Sequence, residues 1–432
     1  MNNFKVLPLT LAVAASLASI SSFAADTDVA ALEKRIQELE TRIETGYVYD
    51  QQPAVLTSEI EVPLGIVFSG YARYGAHFQG SDAQTVGSAG ALNANATGRL
   101  GNEGNGGEFQ LAKAFKSDGG AIWDLVLMLD HWSDASWADD GGVNVKKMYA
   151  GAANLFESQP DLYVWAGRDF HQRPQTDLND YFWMMHDGQG AGFYNLDLGG
   201  VKFDFGAVAQ VEGDMVGDNG RYAITSKLHG IQLGESANLS LYANYGFTSD
   251  KVKDEDISSV NSYQLAGEAS MAGQRLIVRY SDNAKDSVFD LAEDQTALLV
   301  SFDGSTTLTD KAGIQYLAAY QSLEVDGTDS RANYNVIVRP TYQWNDIHST
   351  WIEGGYSVVD YDDFDATNSS WKMTLSQNMA IGPETWSRPM LRFYATVGNA
   401  DNEYTGFDSV TGEKISSDVD TVTVGAMFEA WW

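Results

Sequence analysis

The end of the chain, residues 421–432, alternates between two kinds of side chain in the manner of a β-strand. One parity is apolar and consists of Val422, Val424, Ala426, Phe428, Ala430 and Trp432. The other parity is mostly polar and consists of Thr421, Thr423, Gly425, Met427, Glu429 and Trp431. Successive side chains of a strand point to opposite faces, and a terminal strand with an apolar face exposes an edge unless the sheet closes on itself. The pattern therefore favours a closed antiparallel barrel whose apolar face meets lipid.

The beginning of the chain has the features of a secretory leader. Lys5 precedes an apolar stretch over residues 7–18, and Ser22-Phe23-Ala24 supplies small residues before a cleavage point. The alternative is a membrane anchor, but the apolar run is short of the roughly 20 residues that a spanning helix needs. We therefore predict a signal peptide over residues 1–24, cleaved after Ala24.

Composition narrows the class of protein further. No later segment approaches an 18-residue apolar run, although hydrophobic residues make up 44% of the chain. Only helices and closed sheets satisfy every backbone group in lipid, so a membrane protein without apolar helices must be a barrel. The chain has no Cys, which excludes disulfides and thiolate metal sites, and its net charge of −32 argues against nucleic-acid binding through a basic face. The acidic runs at 139–140, 253–256 and 360–365 are predicted to be solvated loops.

A short heptad segment follows the leader. Its apolar residues recur at alternating spacings of three and four and are Val29, Leu32, Ile36, Leu39 and Ile43. This pattern predicts a periplasmic coiled-coil helix over residues 25–45 and a linker over 46–63. A seam this short is not stable alone, so we expect it to assemble only where something larger brings the chains together.

From residue 64 onwards the pattern changes to period two. Alternating segments recur at 66–78, 201–211, 239–247 and 391–397. A soluble β-sandwich could explain any one of them, but many such segments behind a leader favour a transmembrane β-barrel over residues 64–432. At about 10 residues per strand plus connections, a region of this length suits an even strand count in the upper teens. Barrels of that size enclose an aqueous channel, which indicates transport.

Several motifs, in order along the chain, resemble those of the maltoporin family of sugar-specific porins. They are Phe68-Ser-Gly-Tyr-Ala-Arg73, Gly98-Arg-Leu-Gly-Asn-Glu103, Trp165-Ala-Gly-Arg-Asp-Phe-His-Gln-Arg173, Asp180-Tyr-Phe-Trp183, Gly188-Gln-Gly-Ala-Gly192, Val338-Arg-Pro-Thr-Tyr342, Trp386-Ser-Arg-Pro389 and Glu429-Ala-Trp-Trp432. The heptad segment resembles the extension of sucrose-porin-type relatives. The resemblance implies an 18-stranded homotrimeric barrel in the outer membrane of a Gram-negative bacterium, with an inward-folded third loop. It also implies facilitated diffusion of maltose or maltodextrin-type oligosaccharides.

The resemblance and the strand parity together select candidate sugar-binding aromatics. By matching motif, Tyr71, Trp386 and Trp431 correspond to members of the family's aromatic slide, a line of rings along the channel. Tyr71 and Trp431 also fall on the polar face of their strands, and Trp386 shares parity with Arg388. Trp137 resembles the loop aromatic that reaches into a neighbouring subunit. The alternative for each ring is an aromatic at the membrane interface, which explains the terminal Trp432.

The resemblance also implies a charged constriction. Arg73, Arg99, Lys146 and Arg173 match basic positions of the family's polar track, and Asp180 matches an acidic one. Phe182 stands where the family has a constriction Tyr, so the ring is kept and the hydroxyl is lost. The alternative is that these residues only tie the loop to the barrel wall.

Two departures leave the sugar open. Gly107 or Glu108 stands where the family slide has an aromatic, and Gly273 stands where another is expected. A sparser slide would bind long maltodextrins less well. The alternatives are a general diffusion porin, a porin for another oligosaccharide such as sucrose or β-glucosides, or a structural tether. The six His residues show no metal-ligand spacing, so we predict no metal, no cofactor and no enzymatic activity.

Overall fold

The computed structural model describes residues 66–81, 83–133, 142–211, 218–234, 236–252, 257–326 and 330–432. The predicted signal peptide, coiled-coil helix and linker lie outside these residues, and so do Trp137 and the acidic runs at 139–140 and 253–256. Within the described ranges, no helix is long and apolar enough to cross a membrane.

The described part of the chain consists of strands and their connections. The strands are β1 (Ile66–Gln79), β2 (Asn105–Lys116), β3 (Ile122–Ser133), β4 (Val143–Ala153), β5 (Tyr163–Asp169), β6 (Gln175–Thr176), β7 (Tyr181–Phe182), β8 (Gly188–Asp197), β9 (Lys202–Val211), β10 (Asp218–Leu233), β11 (Ala237–Thr248), β12 (Ser262–Met271), β13 (Gln274–Asp282), β14 (Gln295–Thr309), β15 (Ala312–Val325), β16 (Arg331–Gln343), β17 (His348–Tyr361), β18 (Ala366–Ala380), β19 (Met390–Phe407) and β20 (Lys414–Trp431).

Among these, 18 strands form one sheet in which sequence neighbours pair antiparallel, while β6 and β7 form a separate small hairpin. The sheet closes because β1 pairs with β2 on one side and with β20 on the other. At this seam Tyr71 lies opposite Glu108 on β2 and Trp431 on β20. Closure removes the exposed edge that the final segment would otherwise present. The predicted all-β, 18-stranded antiparallel barrel is confirmed.

The two faces of the barrel wall differ as the alternation predicts. In β19 the buried parity includes Arg392 and Thr396, whereas Leu391 and Phe393 on the other parity are 51% and 47% exposed. The terminal Trp432 belongs to the outer face, where its ring lies 5.3 Å from that of Phe68. An apolar outer face and a polar inner face are the arrangement of a barrel that spans lipid around a wet interior.

The longest connections among the described residues lie at one end of the barrel. Two of the long connections carry most of the candidate site: loop L1 (residues 80–104) and loop L3 (170–187, between β5 and β8). The opposite end has short turns, such as the two-residue turn at Ala272 and Gly273, and it holds the end of β20. Outer-membrane barrels carry their long loops on the extracellular side and their short turns in the periplasm.

Candidate functional site

Loop L3 lies inside the barrel. Asp180 pairs with Arg73 on β1 at 2.8 Å, and Asp177 pairs with Arg339 on β16 at 3.4 Å. A third contact comes from β13, where Arg279 donates a hydrogen bond to the backbone carbonyl of Trp183. A loop that binds β1, β13 and β16 reaches well-separated parts of the closed sheet. It therefore narrows the interior.

Loop L1 also folds inward and lies beside L3. The backbone N–H of Arg99 donates to the carbonyl of Leu178 at 2.9 Å, and that of Asn95 donates to the carbonyl of Asn179 at 3.0 Å. L1 is fastened to the wall by the N–H of Leu100, which donates to Glu353 at 2.9 Å. These bonds join the two loops into one constriction.

Glu429 is the centre of a buried charge network at the barrel seam. Its Oε1 accepts hydrogen bonds from the Tyr71 hydroxyl at 2.9 Å and from Arg99 at 3.0 Å. Its Oε2 accepts from Arg388 Nε at 2.9 Å and from Arg392 Nη2 at 3.1 Å. The carboxylate is 0% exposed, and only charge-assisted bonds of this kind make a buried charge tolerable. Glu429 thus fixes L1 and both closing strands around one point.

The pair formed by Arg73 and Asp180 sits beside this network. Burial alone would raise the pKa of Asp180, but the neighbouring Arg73 and Arg99 outweigh it and lower the pKa below its usual value. Asp180 is therefore a carboxylate at neutral pH. Gln175 also donates to Asp180, which leaves this side chain tied to L3 as well as to the wall.

Arg173 and Phe182 form a second charged group within L3. The guanidinium carbon of Arg173 lies 4.0 Å from the ring centroid of Phe170 and 4.1 Å from that of Phe182. Nη1 of Arg173 lies 3.6 Å from Oε1 of Glu108 on the barrel wall. Cations are stabilised over aromatic faces, so the ring of Phe182 serves to orient Arg173 and needs no hydroxyl to do so.

Lys146 lies at an irregularity that sequence parity could not reveal. In the pairing of β3 with β4, Met128 opposes Lys147 and Leu129 opposes Val145, so Lys146 is an extra residue in a bulge. The bulge lets two consecutive lysines reach inner carboxylates. Lys146 lies 3.4 Å from Asp130, and Lys147 lies 3.5 Å from Asp169.

The predicted aromatics Tyr71, Trp431 and Trp386 form a line at the seam. The ring centroids of Tyr71 and Trp431 are 6.4 Å apart, and those of Trp431 and Trp386 are 6.3 Å apart. Arg388 lies over the Trp431 ring at 4.3 Å and so connects the line to Glu429. Trp386 and Arg388 lie in the connection between β18 and β19, where side chains do not alternate as in a strand. The prediction that the two share a strand face is therefore wrong, although the ring of Trp386 does join the line.

The structure explains the two apparent gaps in the line. Trp132 on β3, which the sequence analysis did not select, stacks on Tyr71 at 6.2 Å with an interplanar angle of 26°. Gly273 occupies a tight hairpin turn at φ +77°, a conformation that favours glycine, so no wall position is vacant there.

The predicted site residues thus fall into two connected groups. Tyr71, Trp386 and Trp431 lie together with Arg73, Arg99 and Asp180, whereas Arg173, Phe182 and Lys146 lie around Glu108 and Asp130. Trp137 is outside the described residues. Glu429, Lys147 and Trp132 were missed, and parity alone could have indicated Glu429 as an inner-face carboxylate. Among the described residues, no cluster of His, Asp and Glu side chains is arranged to hold a metal ion.

Comparison with known proteins identifies the family. A family model described as LamB porin matches residues 66–432, the range that includes every barrel strand. Maltoporin of Vibrio cholerae serotype O1 is 28% identical over 419 aligned residues, which cover 85% of this chain and 95% of that protein. OmpT of Vibrio cholerae in its trimer form has 12% identity, covers 85% of this chain and 99% of its own, and has a TM-score of 0.41. The alignment with Pseudomonas aeruginosa OccK3 (OpdO) has 11% identity, covers 84% of this chain and 96% of that protein, and has a TM-score of 0.48. Because the family model spans the entire barrel, the chain belongs to the LamB porin family and is an outer-membrane porin of a Gram-negative bacterium.

Proposed function

We propose that the barrel is a channel for facilitated, gradient-driven diffusion of maltose and maltodextrin-type oligosaccharides. The observation that carries this proposal is the line of rings from Tyr71 through Trp431 to Trp386 beside the charged constriction. Pyranose rings have apolar faces that lie well on aromatic rings, and their hydroxyl groups need donors and acceptors that replace water. The seam offers both kinds of surface within one passage.

The charges beside the line favour a neutral solute. The basic side chains of this charged group are Arg73, Arg99, Arg388 and Arg392, and the acidic ones are Glu103, Asp177, Asp180 and Glu429. These side chains are paired with one another, so the group carries little net charge. Most of them are buried, but the side chains of Asp180 and Asp177 are 18% and 26% exposed and can offer hydrogen-bond acceptors to a sugar. Sugar hydroxyls can exchange hydrogen bonds with such pairs without either ion losing its partner.

Transport also requires that the solute leave the channel. A series of similar rings offers successive contacts of comparable strength, and a binding surface of this kind admits a solute without trapping it. We assign to the constriction the task of holding the sugar against the rings. No chemical conversion of the sugar is part of this proposal.

The test is the ion current through the purified porin in a planar bilayer while sugar is added. Maltose, maltotriose and maltohexaose should block the current saturably, with sucrose and cellobiose as comparison sugars. A general diffusion porin, the main alternative, would show no saturable block by any of them. Stronger block by sucrose or cellobiose than by maltose would replace the proposed substrate with another oligosaccharide.

We further propose that the porin is a homotrimer and that residues 25–45 form a periplasmic coiled coil below it. The heptad residues support the second part, and the family membership is consistent with the first. The mass of the detergent-solubilised particle against that of one chain tests the trimer directly.

A further inference from the structure

Trp132 occupies the inner face of β3 near the end that carries the long loops. It continues the parity of Asp124, Val126, Met128 and Asp130, all of which are buried. Its ring lies 6.2 Å from that of Tyr71. The distance is close to the 6.4 Å between the rings of Tyr71 and Trp431 and the 6.3 Å between those of Trp431 and Trp386. Trp132 therefore extends the line by one ring toward the extracellular side.

Gly106 makes this position possible. In the strand pairing, Trp132 lies opposite Gly106 on β2, and Gly106 lies opposite Arg73 on β1. A Cβ atom at position 106 would stand 2.4 Å from Cε3 of Trp132, closer than atoms can approach. The absence of a side chain on β2 therefore lets the indole lie across that strand toward β1.

The indole then contacts the constriction as well as the line. The guanidinium carbon of Arg73 is 5.2 Å from the ring centroid of Trp132, and Arg73 is also the partner of Asp180. Trp132 is partly exposed, whereas Tyr71 behind it is 6% exposed. A partly exposed indole beside a charged pair has the two features that a sugar ring requires, an apolar surface and hydrogen-bonding groups next to it.

We infer that Trp132 is the outermost sugar-binding ring of this channel, supplied by β3 and seated over Gly106. The inference rests on the proposed sugar-channel function and specifies its chain-length selectivity. The ring takes the place of the aromatic that Gly107 or Glu108 fails to supply, so the line is not shortened at its outer end. A longer oligosaccharide can contact more rings at once, and loss of an end ring therefore affects long chains more than short ones.

The experiment compares half-blocking concentrations of maltose and maltohexaose for the wild-type porin, Trp132→Ala and Trp132→Phe. Trp132→Ala should raise the half-blocking concentration of maltohexaose about fivefold, the loss of one aromatic contact, and that of maltose about twofold at most. Trp132→Phe keeps a smaller ring and should give an intermediate value. Trp123→Ala is the matched control, because Trp123 lies on the outer face of the same strand and is 47% exposed.

The possible results test the role of Trp132 and the proposed sugar-channel function separately. A wild-type current that no maltodextrin blocks would overturn both. If maltodextrins block the wild type but Trp132→Ala has the same ratio of half-blocking concentrations for maltose and maltohexaose as the wild type, only the role of Trp132 is overturned. If Trp132→Ala yields no folded barrel, Trp132→Phe decides: an increase in its half-blocking concentration for maltohexaose supports the inference, and an unchanged value overturns it.

Discussion

The hydroxyl of Tyr71 donates a hydrogen bond to Glu429 Oε1 at 2.9 Å, across the seam where the first and last strands close the barrel. Tyr71 belongs to the aromatic line, and Glu429 binds Arg99 from loop L1 and two arginines from the region of β19. One carboxylate therefore connects barrel closure, the constriction and the proposed sugar surface. Its removal should affect all three.

Replacement of Glu429 by Gln tests this connection. The substitution keeps the shape but leaves the buried guanidinium groups of Arg99, Arg388 and Arg392 without their shared anion. Breaking one side of a buried ion pair costs about 3–5 kcal/mol, so the free energy of unfolding in detergent should fall by that order. Glu413→Gln in an exposed connection is the control, and an unchanged unfolding midpoint for Glu429→Gln would contradict the assigned role.

Tyr71→Phe should separate the ring from its hydroxyl. The variant keeps the stacking on Trp431 and Trp132 but loses the bond to Glu429. We expect a loss of about 2 kcal/mol in the free energy of unfolding, typical of one hydrogen bond to a charged group, with sugar block of the current nearly unchanged. Tyr71→Ala should reduce the block as well. Equal loss of block in both variants would mean that the hydroxyl, and not the ring, matters for the sugar.

Loop L3 should become less stable in mild acid because of His171. This residue is 1% exposed, is hydrogen-bonded to Tyr194 at 2.9 Å, and has a pKa that burial lowers from 6.5 to about 4. The unfolded chain takes up this proton below pH 6.5, whereas the folded chain does so only near pH 4. The stability contributed by neutral His171 is thus complete above pH 6.5 and is lost as pH falls through that window, by about 3 kcal/mol at most.

The measurement is the unfolding midpoint between pH 7.5 and 4.5 for the wild type and His171→Gln, with His348→Gln as the control. Burial also lowers the pKa of His186, which adds to the effect, and raises that of Asp187, which opposes it. The comparison of variants isolates His171. We expect His171→Gln to flatten the slope, and an unchanged slope would contradict the prediction.

The barrel should trimerise without its N-terminal segment. The heptad seam over residues 25–45 is too short to associate alone, so we expect the barrel walls to supply most of the association energy. A variant lacking residues 25–45, analysed by mild gel electrophoresis and by particle mass, should still migrate as a trimer. Monomers after this deletion would show that the helix is required.

The inner and outer faces of the strands were predictable from sequence, because parity within a regular strand is a local property. Strand parity by itself assigns Tyr71 and Trp431 to the inner wall, and in the structure the two residues lie opposite each other there. The strand number followed from the resemblance and from chain length. These are features that one segment or a simple count can specify.

Two of the missed residues, Trp132 and Lys147, depend on contacts between strands. Trp132 reaches Tyr71 only because Gly106 on the intervening strand has no side chain, and nothing in the sequence of β3 indicates this. Lys146 and Lys147 both reach inner carboxylates because of a bulge, which breaks the alternation that the sequence analysis relied on. Such features arise from register and packing between strands, which the sequence of one strand does not specify.

The adjacent residues Trp431 and Trp432 offer the most direct test of the proposed channel, because they differ in the face they occupy. Trp431 lies over Arg388 in the aromatic line, and Trp432 packs on the outer face against Phe68. The measurement is the current block by saturating maltohexaose in a planar bilayer for Trp431→Ala and Trp432→Ala, with the yield of folded porin recorded for each. We expect Trp431→Ala to reduce the block with ion conductance similar or higher, and Trp432→Ala to keep the block but lower the yield. Loss of block in Trp432→Ala with normal block in Trp431→Ala would contradict the assigned faces and the proposed sugar path with them.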